Sequence, residues 1–183
     1  MITLQIKEKK YEMPSALDEL TIDHYQKVMA LENRESLEQM IKVISIISNV
    51  EEDLIKQLDA DSVRTINYLA TSIFSSKPYD FQQTFVLDNV TYEFDSNFSK
   101  MSIGKFSDLT KLSEPELVNQ NLHTIMALLY VPTKEPKQRT LLQLVKQEKV
   151  EKVTDYDEEE VQARAELFKE KLTMNIVLGC VLF

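Results

Sequence analysis

Apolar residues alternate along TLQIKEKKYEM (3–13), and a polar turn interrupts them among Lys7–Lys10. The same rhythm returns in FVLDNVTYEF (85–94), with Asp88-Asn89 at the turn. Alternation of this kind predicts a half-buried strand, and Asp and Asn tolerate the left-handed backbone of a tight hairpin. Two β-hairpins are therefore expected. Each is followed by a helix start. Thr21 can cap a helix whose apolar face is Ile22, Tyr25, Val28 and Met29, with Ala30 at its edge. Ser102 can cap a second, with Ile103, Phe106 and Leu109 facing inward. Their hydroxyl oxygens accept N–H groups that a first helical turn leaves unpaired. Longer helices come next, with Leu37, Met40, Ile41, Ile44 and Ile47 in one and Val118, Leu122, Ile125 and Leu129 in the other. Their three- and four-residue spacings define one apolar face each.

The two series coincide when the chain is shifted by 81 positions. Ten residues between positions 3 and 50 are then identical, among them Tyr11, Glu12, Ser15 and Ile22, and apolar positions match through strand, turn and helix. An internal repeat is the economical explanation. In the first unit, Glu51-Glu52-Asp53 opens a short helix, and another runs from about Asp61 to Phe74. The segment 169–183 aligns with 60–74 at an offset of 109, so the second unit carries a 28-residue insertion within about 132–160. The expected fold is α+β, mostly α. It consists of two tandem β-hairpin-plus-helices units, 1–80 and 81–183, packed as one compact domain.

The insertion is the least architectural segment. It holds a basic cluster (Lys134, Lys137, Arg139) and a short apolar run (Leu141, Leu142, Leu144, Val145). Long excursions from a compact fold are commonly functional. Its acidic end, Asp155 to Glu160, suits the N-terminal dipole of the last helix. It lacks the glycine and the alternating ligands of a calcium loop. That last helix is expected to run unbroken, with Val161, Ala165, Phe168, Leu172, Ile176 and Cys180 on one face. Its final turns, through Val181, Leu182 and Phe183, are apolar nearly all round, so they are expected to dock in the core, insert between the two units or be covered by a partner. The insertion and this tail are the expected partner-binding residues.

Composition narrows the chemistry. The chain has 183 residues, two glycines and one cysteine, and its net charge is −9. Few glycines disfavour phosphate-cradling loops. The acidic balance repels nucleic acid. A single cysteine, Cys180, cannot form an internal disulfide; it reads as a small buried hydrophobe in a reducing compartment. No apolar run has the length of a membrane span, and residues 1–10 lack the apolar stretch of a signal peptide. His24 and His123 fall at non-equivalent repeat positions, which argues against a duplicated metal site. No HExxH, CxxC or GxSxG motif occurs. No catalytic, metal or cofactor-binding residue is assigned, and no cofactor is expected.

Pro14, Glu19-Leu20-Thr21, Tyr25 and Val28, together with the apolar-aromatic tail Phe168, Leu178 and Phe183, resemble small virion and tail-assembly proteins of tailed bacteriophages. The nearest groups are tail-assembly chaperones and the baseplate-hub assembly proteins of T-even-like phages. The resemblance implies a non-enzymatic protein, in the virion or in the host cytoplasm during assembly. It would bind other tail, baseplate or portal-region proteins, and it could form an oligomer; hydropathy and the acidic charge, taken separately, point away from a membrane and from nucleic acid. The competing readings are a cytosolic acidic adaptor for a basic partner and an enzyme with a cleft between the two units.

Overall fold

A computed structural model describes residues 1–32, 36–75, 80–133 and 156–181. The fold is α+β, mostly α. Its contacts divide the chain into two units, Met1–Phe81 with Lys169–Phe183, and Gln82–Phe168.

The first unit opens with strands β1 (Ile2–Ile6) and β2 (Lys9–Met13), paired antiparallel with Leu4 opposite Tyr11. Lys7 takes a left-handed φ of 57° in the two-residue turn. Helix α1 (Ile22–Met29) is capped by Thr21, whose oxygen accepts from His24 N. Helix α2 (Leu37–Ser48) is capped by Ser36 and stops at Asn49, which is left-handed. Helices α3 (Glu52–Ile55) and α4 (Ala60–Ser72) follow, with Asp59 capping α4 through two backbone N–H groups. Ile6, Ile41, Ile44, Val50, Ile55 and Val63 form a buried cluster drawn from hairpin, α2, α3 and α4.

The second unit repeats this order in the same register. Strands β3 (Thr84–Leu87) and β4 (Val90–Phe94) pair with Phe85 opposite Tyr92, each 81 positions beyond Leu4 and Tyr11. Asp88 and Asn89 both have positive φ at the turn. Helix α5 (Ile103–Leu112) is capped by Ser102, and α6 (Val118–Leu129) spans the residues 81 positions beyond α2. Here the units part. Where Asn49 turns the first chain away, Tyr130 stays extended and starts strand β5 (Tyr130–Pro132), which pairs with β4. Helix α7 (Glu158–Lys171) then places Phe168 against Phe85 and Tyr92, at centroid distances of 5.6 and 4.9 Å. Tyr130 packs on Phe85 at 4.9 Å and donates its hydroxyl to Gln82 O. This aromatic core, worth about 0.5–1.5 kcal/mol per ring pair beyond burial, replaces the aliphatic one of the first unit.

Two expectations change. The last helix is broken at Leu172-Thr173 into α7 and α8 (Met174–Val181), because those residues are drawn into backbone bonds with the first unit. Val161, Ala165 and Phe168 share a buried face as expected, whereas beyond the break Leu172, Met174 and Val177 are the buried residues and Ile176 and Cys180 are only half-buried. For the same reason Lys169–Phe183 groups with Met1–Phe81 and not with the second unit. The second unit's hairpin takes its covering helix from α7 instead.

Candidate functional site

The helix starts at Ile22 and Ile103 occupy equivalent positions and have opposite environments. In the first unit an extended strap lies along the helix start. Ile22 N donates to Leu172 O at 3.1 Å, and Met174 N to Leu20 O at 2.7 Å. Asn175 N donates to Leu17 O at 3.2 Å, and Thr21 and Thr173 form an antiparallel bridge. Helix α8 then lies on α1. Leu17, Leu20, Ile22 and Val28 are buried beneath this cover, as are Leu172, Met174 and Val177 within it. Tyr25 completes the face against Phe74, with centroids 5.9 Å apart. Each buried aliphatic side chain contributes about 1.5–3 kcal/mol.

In the second unit that face is bare. Ile103 was expected to face inward and is 89% exposed; Phe106, its neighbour one turn on, is 57% exposed. Phe98, at the position of buried Leu17, is 48% exposed. No described element takes the place that the strap and α8 hold in the first unit, so these positions keep their apolar character without burial. The backbone groups that hold the strap in the first unit are Leu20 O and Ile22 N. Their counterparts, Met101 O and Ile103 N, have no protein partner among the described residues. Three large apolar side chains beside an open donor and acceptor form the combination that extended-segment and helix recognition uses. Monomeric surfaces carry isolated apolar residues freely, but grouped ones mark interaction sites.

Charge differs between the two faces as well. The first helix start carries Asp18, Glu19 and Asp23; the second has Ser99, Lys100 and Gly104 at those positions. Glu19 accepts from the Met1 ammonium group and from Ser15 N and Oγ, which hold its carboxyl down at about 2. Lys100 and Lys111 make no ion pair among the described residues. Lys105 is tied to Asp95 at 2.9 Å.

On its other side α5 meets Tyr156. The Tyr156 hydroxyl donates to Asp108, and this bond pushes its pKa up to about 12. Its ring passes over Gly104, where an added Cβ would stand 3.2 Å from two ring carbons. Beside it a cavity of about 80 Å³ is lined by Lys100, Lys105, Tyr156, Glu160 and Arg164. Arg164 donates Nε to Ala127 O, and burial lowers its pKa. The volume suits a few waters, against the roughly 300–1,000 Å³ of small-molecule sites. A larger depression of about 420 Å³ near Glu158 and Glu159 is wide open to solvent. Among the described residues no three His, Cys, Asp or Glu side chains are grouped to hold a metal. No helix among them is long and apolar enough to cross a membrane.

The expected partner-binding residues Lys134, Lys137, Arg139, Leu141, Leu142, Leu144, Val145, Leu182 and Phe183 lie outside the described residues; of Val181, only the backbone, which closes α8, is described. Phe98, Ile103 and Phe106 were not among them. The repeat carried the signal for them: once 169–183 is assigned to the first unit, no described element of the second matches the cover on its helix start. No protein-family model, characterised protein or solved structure matches the chain.

Proposed function

We propose that this chain is a non-enzymatic binding protein that acts in tailed-bacteriophage virion or tail and baseplate assembly, by docking other proteins of that machinery. The observation that carries the binding role is the bare face of Phe98, Ile103 and Phe106, whose counterpart in the first unit is buried. The resemblance of Pro14, Glu19-Leu20-Thr21, Tyr25 and Val28 to phage assembly proteins supplies the setting. The test is co-sedimentation of the native chain with tail, baseplate or portal-region proteins in assembling extracts, read by quantitative mass spectrometry. The chain should travel with them, and Ile103→Asp should release it. A chain that sediments alone, with or without that substitution, contradicts the proposal.

A further inference from the structure

The first unit shows what its helix start is built to receive. An extended Leu172-Thr173 pairs with the backbone of residues 20–22 and leads directly into an apolar helix, α8. The second unit presents the same receiving surface: Met101 O and Ile103 N have no partner among the described residues, and Ile103 and Phe106 are exposed. Its charge differs at the three matching positions. In the first unit the strap follows Lys169 and Lys171 and arrives at a helix start bearing Asp18, Glu19 and Asp23. In the second unit the corresponding start bears Lys100 and no carboxylate at those three positions.

We propose that the Phe98–Phe106 face is a docking site for an apolar helix of another protein, led in by a short extended segment with carboxylates before it. The segment would pair with Met101 O and Ile103 N as Leu172-Thr173 pairs with Leu20 and Ile22, and the helix would cover Ile103 and Phe106. This rests on the binding role proposed above and specifies its partner. A second copy of this chain is the poorer occupant. Its own strap is already placed in its first unit, and it would bring Lys169 and Lys171 onto Lys100, like charge against like.

The test uses the full chain and two synthetic peptides. One is residues 169–181 with Cys180→Ala; the other adds Lys169→Glu and Lys171→Glu. Binding is read by calorimetry and by amide chemical shifts. The acidic peptide should bind one per chain, shift the amides of Met101–Phe106, and bind about two- to fivefold tighter than the lysine peptide, the scale of one exposed ion pair made in place of a like-charge contact. That preference should fade at high salt. Ile103→Asp should weaken binding about tenfold or more while leaving the melting temperature unchanged, since the side chain is exposed. Equal or tighter binding of the lysine peptide would overturn the proposal, as would binding indifferent to Ile103→Asp or no binding of either peptide. A free chain that is dimeric and becomes monomeric with Ile103→Asp would assign the face to a second copy and also overturn it. If the peptides fail while the native chain still travels with assembly proteins and Ile103→Asp releases it, the binding role stands and this docking mode falls. If both fail, both fall.

Discussion

Ile22 and Ile103 begin the same helix in two units of matching register, yet one is buried and the other stands in solvent. The caps agree: Thr21 accepts from the third residue after it, and Ser102 does likewise. The hairpins agree, with Leu4 opposite Tyr11 and Phe85 opposite Tyr92. What differs is supplied from elsewhere in the chain, namely the strap at Leu172-Thr173 and helix α8. The difference teaches that local sequence sets the shape of a helix start, while a distant segment decides whether its apolar face is core or surface.

The largest effect expected from breaking this comparison lies at the joint between α7 and α8. Phe168→Ala should cost about 3–5 kcal/mol, because the ring packs on Phe85 and Tyr92 in the core of the second unit. Met174→Ala, six residues on, should cost about 2–5 kcal/mol through the first unit. Chemical denaturation followed by hydrogen exchange in each unit separates the two, and loss of protection in the same unit for both variants would contradict the division. The paired substitutions Ile22→Ala and Ile103→Ala come next. The first should cost about 2–5 kcal/mol, and the second should stay within about 0.5 kcal/mol. Equal costs would mean that the second face is covered.

Smaller effects sharpen the likeness. Thr21→Ala and Ser102→Ala should each cost about 1 kcal/mol, since both caps satisfy one first-turn N–H. A pH series then singles out the first unit. His24 is partly buried and shares a hydrogen bond between its Nδ1 and Thr21 Oγ1, and burial lowers its pKa. A lowered histidine pKa contributes stability that is present above its unfolded value, about 6.5, and is lost as pH falls toward the folded value. Acidification from neutral pH should therefore destabilise the first unit, and His24→Gln should flatten that slope.

Much of this fold was legible in the sequence because its signals are local. Alternation placed both hairpins, Thr21 and Ser102 placed two helix starts, and the 81-position shift placed α2 and α6 against each other. Strand β5 was not legible, since Tyr130-Val131-Pro132 is too short to show a period. The break at Leu172-Thr173 was hidden as well. Its helical spacing continues through both residues, and only backbone pairing with Leu20 and Ile22 stops it. That pairing is long-range, so no window of sequence contains it. The candidate face was hidden for a related reason: helical spacing put Ile103 and Phe106 on an inward face, and spacing alone does not say whether a distant segment covers that face.

Two backbone amides, Ile22 and Ile103, report whether each helix start is covered. Both are first-turn helix N–H groups that the helix itself cannot pair. Among the described residues Ile22 N has an external acceptor, Leu172 O, and Ile103 N has none. Amide hydrogen exchange of the free chain should therefore show Ile22 protected and Ile103 exchanging near the rate of an open amide. Comparable protection at both positions would contradict the account, because the second face would then already be covered.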